Sequence, residues 1–202
     1  MVLDLHCHTR YSPDCYLEPA DLIKRARELG LDGVCITEHH SYAVSSGVTN
    51  EDENGGLIIL RGVEISTSMG HLLAYGVKDD SWNTWARNNY LDIGEVIRAI
   101  HLRGGICVPA HPFRGWDSLG DAIFTIDGLD AVETHNGSNG SDANQKAIHA
   151  ACRLRLPSIG GSDCHSIEEV GRACTEFPNP IQTIDDMIGE IKRGNCRGVR
   201  LR

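Results

Sequence analysis

Short apolar runs alternate with longer segments of helical periodicity along this chain. The first three are VLDL at 2–5, EPADLIKRAREL at 18–29 and GVCIT at 33–37. In the middle segment apolar residues recur at intervals of three and four, Pro19 lies near the start and Gly30 follows the end, as in a capped α-helix. The chain therefore begins in the order strand, helix, strand.

The same alternation continues to the end of the sequence. Strands are predicted at 2–5, 33–37, 58–65, 72–76, 105–110, 130–134, 157–161 and 173–177, and helices at 18–29, 90–103, 142–155 and 183–193. Alternation of this kind is typical of parallel strands joined by right-handed crossovers, and strands this apolar are covered on both faces. The pattern favours an α/β barrel or a doubly wound sheet, with the polar stretches 41–56 and 79–89 as surface loops.

Composition indicates one globular domain. The 202 residues are 41% hydrophobic and 23% charged, and the formal net charge is -9. No apolar run approaches the ~20 residues of a bilayer span, and MVLDLHCH does not have the pattern of a signal peptide. The negative charge disfavours extended nucleic-acid binding, but a small anionic substrate remains compatible with it if bound cations invert the local field.

Cysteines and tryptophans are expected to serve packing. The eight cysteines form no CxxC pair, and four of them lie in or beside strand-like runs, so we expect free thiols that pack as small hydrophobic residues, and a cytoplasmic protein. Trp82 and Trp85 are expected to anchor their loop to the core. His101 and His149 lie in helical stretches and are expected to be ordinary surface or core residues.

Nearly every apolar run ends in a residue that can bind a metal ion. These residues are His6, His39, Glu64, His111, His135 and Asp163. In a parallel barrel the carboxyl ends of all strands open onto one face, so these side chains are expected to converge. Imidazole and carboxylate ligands without thiolate suit zinc, manganese or iron. The sequence thus predicts a metal cluster whose ion remains open.

Two of these ligand positions are doubled. His6 is followed by His8, and Asp163 is followed by His165. In extended chain, residues i and i+2 point to the same face, so each pair can aim two ligands at one point. Cys7 and Cys164 lie between them and are therefore expected to pack on the opposite side.

Five segments together resemble the PHP family, the polymerase and histidinol phosphatase domain. They are DLHCHTRYSPD (4–14), ITEHH (36–40), GVEIS (62–66), AHPFR (110–114) and GSDCH (161–165). The resemblance implies a distorted (β/α)7 TIM-like barrel in a single domain, residues 1–202, with a trinuclear metal site and phosphoesterase chemistry. The short segment 72–110 leaves no room for the inserted cap domain of some relatives.

The resemblance also implies a ligand set of two to three divalent ions, with manganese, zinc or iron as candidates. Position by position, the first ion would be held by His6, His8, Glu64 and Asp163, the second by Asp14, His39 and His165, and the third by Glu64, His71 and His111. Cys15 departs from the S-x-D-G of many relatives. His71 opens the run HLLAYG, whereas the other ligands follow strands.

Four further residues are candidates for contact with a substrate. Arg114 follows His111 by three residues, can present a bidentate fork to phosphate oxygens, and matches a phosphate-binding position in similar phosphatases. A surface pairing of Arg114 with Asp117 is the alternative. His135 is a candidate substrate contact or catalytic proton donor, and Arg10 and Arg172 are candidate substrate contacts or plain surface arginines.

The expected activity is hydrolysis of a small phosphomonoester by a metal-bound hydroxide that attacks phosphorus. Arg114 would hold the phosphate, and Asp163 or a neighbouring histidine would protonate the leaving group. One alternative is a nuclease or phosphodiesterase acting on nucleotides or short oligonucleotides. Another is a metal-stabilised module without catalysis. The expected partner is a small phosphorylated molecule, with no membrane and with the oligomeric state open.

Overall fold

Nine β-strands and four α-helices form the part of the chain that the computed structural model describes, residues 1–48, 56–83 and 91–201. The strands are β1 (Val2–Cys7), β2 (Gly33–Ile36), β3 (Ile58–Thr67), β4 (Gly70–Tyr75), β5 (Ile106–Pro109), β6 (Val132–Asn136), β7 (Ser158–Gly161), β8 (Ala173–Glu176) and β9 (Arg197–Arg200). The helices are α1 (Pro19–Glu28), α2 (Ile93–His101), α3 (Ser141–Leu154) and α4 (Ile184–Lys192). Within these ranges, no helix combines the length and apolar character of a membrane span.

Local sequence signals set the helix boundaries. Pro19 occupies the first turn of α1, and Gly30 follows the helix with a positive φ of 72°. The Asp92 side chain accepts the backbone N–H of Glu95 at the start of α2, at 3.0 Å. A capping box between Thr183 and Asp186 begins α4. Each of the four predicted helices is therefore present, within a few residues of its predicted bounds.

The strands form a curled seven-stranded sheet in the order β5-β4-β3-β2-β1-β8-β9, together with a two-stranded sheet of β6 and β7. In the large sheet β1, β2 and β3 are parallel neighbours, whereas β4, β5, β8 and β9 pair in antiparallel fashion. The fold is a mixed α/β half-barrel in a single domain.

The expectation of parallel strands throughout was therefore wrong. Only two residues, Ser68 and Met69, separate β3 from β4, and a connection this short can form a hairpin but not a parallel crossover. The strand β9 near the end of the chain was not predicted. A closed (β/α)7 barrel is not confirmed by this arrangement.

The small sheet lies against the end of β1. Beyond β7, the backbone N–H of Asp163 donates to the carbonyl of His6 at 2.7 Å, and the N–H of His8 donates to the carbonyl of Cys164 at 3.2 Å. Strand β6 is tied to the region of β5 by a bond from the Asp130 N–H to the Cys107 carbonyl, at 2.9 Å. The ends of β1 and β7 thus meet, and β5 and β6 are tied together near the start of both strands.

Core side chains cover both faces of the large sheet. Leu72 and Ala74 of β4 pack in one buried group with residues of α2 and α3, while Leu73 and Tyr75 pack in another with residues of α4. A third group joins α1 to β2. Successive residues of a strand point to opposite faces, so strands covered on both sides are apolar at nearly every position.

The packing assignments from the sequence can be compared with individual side chains. Trp82 is fully buried, as expected for a loop anchor. Cys7 and Cys164 are also fully buried, which confirms their packing role. No disulfide joins the cysteines within the described ranges. Trp85 lies outside the described residues, as do parts of both predicted loops.

The contact between β7 and β1 leaves no space for a side chain at Gly161. A Cβ atom there would lie 2.3 Å from the His6 Cβ and 2.6 Å from the His6 backbone nitrogen. We predict that Gly161→Ala lowers the free energy of unfolding by about 3 kcal/mol, because the strands must separate. Urea unfolding measures this change.

Gly47→Ala is the matched control for this experiment, since Gly47 is exposed and a Cβ there would meet nothing within 4 Å. It should change stability by no more than about 0.5 kcal/mol. Equal stability of the two variants would contradict the close approach of β7 to β1.

Candidate metal centre

The structure brings all nine predicted ligand residues into one cluster. His6 and Glu64 lie within β1 and β3, and the others lie at strand ends or in the loop that follows β1. His71 reaches the cluster because β4 runs antiparallel to β3, which pairs His71 with Ser66 near the end of β3. This explains why His71 opens its apolar run while the others follow theirs.

Four donor atoms form the most compact group. The His6 Nε2 atom lies 3.1 Å from His8 Nε2, and 3.4 Å from both Glu64 Oε2 and Asp163 Oδ1. His8 Nε2 lies 3.1 Å from Glu64 Oε2 and 3.4 Å from Asp163 Oδ1. Ligands bound at ~2.1 Å to one tetrahedral or octahedral ion are about 3.0–3.4 Å apart. The donor set therefore fits a common ion.

The second oxygen of Glu64 faces a different pair of histidines. Glu64 Oε1 lies 2.9 Å from His71 Nδ1 and 2.9 Å from His111 Nε2. His39 Nδ1 lies 3.2 Å from Glu64 Oε2, and His39, Glu64 and His71 also have donor atoms close enough for a shared ion. Glu64 can thus bridge two ions.

Asp14 lies at the outer edge of the cluster. Its Oδ2 atom is 3.4 Å from His39 Nε2 and 3.3 Å from His165 Nε2, while its side chain is 55% exposed. The donor atoms of His8, His39 and His165 also group together. Among the carboxylate ligands, Asp14 is therefore the one that is exposed to solvent, whereas Glu64 and Asp163 are buried.

The electrostatics of the cluster favour bound cations. Asp4, Glu38, Glu64, Glu133 and Asp163 are all buried. Among the described residues, one arginine, Arg114, forms an ion pair with a member of this group, Asp163. Burying ionised carboxylates is costly unless cations or hydrogen bonds compensate, so divalent ions suit the site.

The histidines and acids shift each other's pKa. Burial alone raises the pKa of Glu64, but His6 and His111 hold it well below its usual value. Burial alone lowers the pKa of His8, but hydrogen bonds to Asp163 and Glu64 raise it to about 10. Burial lowers the pKa of His39 to about 4. The cluster therefore holds both protonated and neutral rings before any ion binds.

Arg114 contacts the cluster directly. Its NH1 atom donates to Asp163 Oδ2 at 2.8 Å, and its side chain is 18% exposed. The guanidinium carbon also lies 5.5 Å from the centre of the exposed Trp116 ring. The structure thus pairs Arg114 with Asp163, not with Asp117, and leaves it at the rim of the cluster.

The structure does not bring the other three predicted substrate residues to the cluster. Arg10 pairs with Glu18 at 3.0 Å, and Arg172 pairs with Glu169 at 3.3 Å. His135 lines a separate surface pocket with Arg197, and its pKa is lowered by burial and by nearby arginines.

The placement of His135 differs from the expectation that its side chain converges on the cluster. Strand β6 has a register shift between Glu133 and His135, so the residues that face the cluster are Glu133 and Asn136. His135 instead contacts Thr134, with 2.8 Å between Nδ1 and Oγ1. The regular alternation of a strand does not hold across such a bulge.

Two buried acids behind the histidines were not predicted. Glu133 Oε1 lies 2.9 Å from His6 Nδ1. Glu38 accepts a hydrogen bond from Ser12, whose hydroxyl lies 3.2 Å from His8 Nδ1. A glutamate inside the apolar run LDAVET was an available signal, because an acid buried in a strand needs a polar partner.

A half-barrel of mixed strands that collects histidines and carboxylates at its strand ends defines the class of this protein. Its residues 4–111 match the sequence profile described as the PHP domain, and residues 141–196 match the one described as PHP-associated. The chain belongs to the PHP domain family. It is also 31% identical over 147 residues to the uncharacterized protein MJ1587 of Methanocaldococcus jannaschii, a match that covers 67% of this chain and 82% of that protein.

Solved structures share the fold at lower sequence identity. A proposed metal-dependent phosphoesterase from Bifidobacterium adolescentis is 24% identical, with a TM-score of 0.69 and coverage of 98% of this chain and 97% of the other. An amidohydrolase from Chromobacterium violaceum is 20% identical, with a TM-score of 0.71 and coverage of 98% and 97%. The lesion-specific endonuclease EndoQ of Pyrococcus furiosus is 18% identical, with a TM-score of 0.69, and this chain spans 57% of its length.

Ion binding is predicted to release protons. Because the pKa of His8 is about 10, its ring is protonated at pH 7.5 and must lose that proton before Nε2 can bind an ion. We expect at least about one proton per protein to be released, and affinity to rise with pH toward about 10. Calorimetry in two buffers of different ionisation enthalpy measures the release.

The raised pKa of His8 also makes the stability of the ion-free protein depend on pH. Protonated His8 contributes stability that is fully present below about pH 6.5 and is lost as the pH rises through about 10. His149→Ala is the control, since His149 is exposed and contacts Gln145.

An enthalpy of ion binding that is identical in both buffers would contradict the predicted proton release.

Proposed function

We propose that the protein is a metal-dependent phosphoesterase that hydrolyses a small phosphomonoester. The observation that carries this proposal is the four-donor group of His6, His8, Glu64 and Asp163, with Arg114 beside it. Membership of the PHP domain family supports it, and so does the fold shared with a proposed metal-dependent phosphoesterase. The structurally similar amidohydrolase holds sulfate, a tetrahedral oxyanion like phosphate.

The cluster would hold two to three divalent ions, with manganese, zinc or iron as candidates. His6, His8, Glu64 and Asp163 would bind the first ion, Asp14, His39 and His165 the second, and Glu64, His71 and His111 the third. When bound, such ions lower the pKa of water and neutralise charge on phosphoryl oxygens. All nine positions are filled, which argues against the alternative of a module without catalysis.

Arg114 would orient the phosphate. Its NH1 already donates to Asp163 Oδ2, and its Nε atom is buried without a hydrogen-bond partner among the described residues. A phosphate oxygen next to Asp163 would satisfy this donor. A planar guanidinium can hold two phosphoryl oxygens at once and spread the negative charge that develops during transfer.

Asp163 is better suited to ion binding than to proton donation. Burial alone raises its pKa, but His6 and His8 lower it far below its usual value, so the carboxylate stays ionised. Of the two proton donors left open by the sequence, a neighbouring histidine therefore fits the leaving group better. Asp163 would instead fix the first ion and Arg114 together.

A nuclease or phosphodiesterase is the second candidate, and the fold shared with the endonuclease of Pyrococcus furiosus favours it. The net charge of -9 disfavours long strands but not a nucleotide or a short oligonucleotide. Hydrolysis of p-nitrophenyl phosphate should exceed that of bis-p-nitrophenyl phosphate at saturating manganese if the proposed monoesterase is correct. The reverse preference would favour the diesterase, and bound ions without either activity would favour the non-catalytic module.

Arg114→Lys should lower kcat/KM for p-nitrophenyl phosphate by about 10-fold to 100-fold. A lysine keeps the charge but loses the bidentate fork and the second donor. Steady-state kinetics of the manganese-loaded protein measure the effect. Parent-like kinetics for the lysine variant would remove Arg114 from phosphate binding.

His135→Ala should leave kcat/KM within about twofold of the parent, because His135 lines a surface pocket that contains none of the nine ligand residues. The same assay measures both variants, so His135→Ala is the matched control for Arg114→Lys. A large loss of activity for His135→Ala would show that the substrate reaches well beyond the cluster.

A further inference from the structure

We propose that Glu133 is a positioning residue that sets both the ring of His6 and the backbone of His111 for ion binding. The inference rests on the metal centre of the proposed function, but it does not depend on which phosphoester is hydrolysed. Glu133 lies in β6, is fully buried, and stands behind the cluster on the side away from Glu64.

Three donors meet the carboxylate of Glu133. Its Oε1 atom lies 2.9 Å from His6 Nδ1. Its Oε2 atom accepts the backbone N–H of His111 at 2.6 Å and the Nδ2 amide of Asn136 at 3.0 Å. The partners come from β1, from the segment after β5 and from β6 itself, so one side chain links three strands.

The contact with His6 fixes which ring nitrogen is free. An ionised carboxylate can only accept hydrogen bonds, so His6 Nδ1 must carry the hydrogen. The lone pair of a neutral His6 is then on Nε2, which lies 3.1 Å from His8 Nε2 and 3.4 Å from Asp163 Oδ1. Glu133 therefore selects the tautomer that can bind an ion and orients the ring toward it.

The contact with His111 fixes a strained backbone. His111 has a φ of 32°, a value that residues other than glycine rarely adopt. The bond from its N–H to Glu133 holds this turn, and the turn directs His111 Nε2 to within 2.9 Å of Glu64 Oε1. Loss of Glu133 would therefore affect two ligands that lie on opposite oxygens of Glu64.

Glu133→Gln is the informative variant because it preserves shape. A glutamine presents one acceptor and one donor, so it cannot accept hydrogen bonds from both His6 and His111. If the amide nitrogen faces the backbone N–H of His111, two donors face each other. If it faces His6 Nδ1, His6 must carry its hydrogen on Nε2, which is the other tautomer. We expect manganese affinity to fall by about 10-fold to 100-fold, measured by calorimetry with manganese alone.

A structural role alone would give a different result. If Glu133 only stabilised the fold, Glu133→Gln would lower the melting temperature of the ion-free protein and leave manganese affinity unchanged. That result would overturn the inference, as would parent-like affinity with parent-like stability. Glu95→Gln, an exposed glutamate exchanged for glutamine on α2, is the matched control and should bind manganese as the parent does.

A double-mutant comparison tests whether Glu133 acts through His6. In the His6→Ala background, Glu133→Gln should lower manganese affinity by a smaller factor than in the parent, since only the effect through His111 remains. An undiminished loss there would contradict the positioning of His6. Should the glutamine variant not fold, Glu133→Asp retains the charge but withdraws it from both partners, and it should also bind manganese more weakly. Parent-like affinity for Glu133→Asp would overturn the inference.

These measurements separate the inference from the proposed function. All of them use manganese without a phosphoester, so they report on the ligands and not on turnover. A parent protein that binds manganese but hydrolyses no phosphoester would remove the proposed function, and the effect of Glu133→Gln on affinity would still decide the role of Glu133.

Discussion

The buried carboxylate of Glu64 is the group on which the arrangement of this fold depends. It is 1% exposed, and its two oxygens lie within 3.4 Å of ring nitrogens of His6, His8, His39, His71 and His111. A carboxylate buried among strands is costly unless several donors or cations surround it. The strands that meet here must therefore each supply a partner, which explains why histidines recur at strand ends that are distant in sequence.

Three of the five described non-glycine residues with a positive φ lie at or beside this cluster. His40, His111 and Asp163 have positive φ angles of 60°, 32° and 54°, although none is glycine. Each such conformation costs on the order of 1–3 kcal/mol, and it persists only where the surrounding structure holds it. Here the Asp163 N–H is held by the His6 carbonyl and the His111 N–H by Glu133. The strained turns redirect side chains from the strand direction into the cluster.

The sequence predicted the cluster better than it predicted the sheet. Ligands such as His6 and His8 could be found because apolar runs that end in histidine or an acid converge in any fold that gathers strand ends on one face. The antiparallel pairing of β3 and β4 was missed, although the two-residue connection was a visible signal. Strand β9 was missed because Arg197–Arg200 contains two arginines and one valine, which gives no apolar run.

The remaining differences between the predicted and the observed site arise from the register of β6 and from loop conformation. A register shift in β6 turns His135 away and brings Glu133 and Asn136 inward, and alternation alone predicts the opposite for His135. Arg10 and Arg172 found acidic neighbours on the surface, while Arg114 reached Asp163, and these outcomes depend on loop conformation. Residue type and spacing therefore indicated most of the candidate ligands, and the family resemblance added Asp14 and His71, but neither indicated the groups that orient them.

Divalent ions bound among the carboxylates and histidines around Glu64 would hold this centre together. Anomalous scattering from crystals of manganese-loaded protein tests this claim most directly. We predict a peak about 2.1 Å from the ring Nε2 atoms of His6 and His8, with Glu64 and Asp163 as further ligands. Crystals of protein that carries stoichiometric manganese, but in which the anomalous peaks lie away from these four side chains, would contradict it.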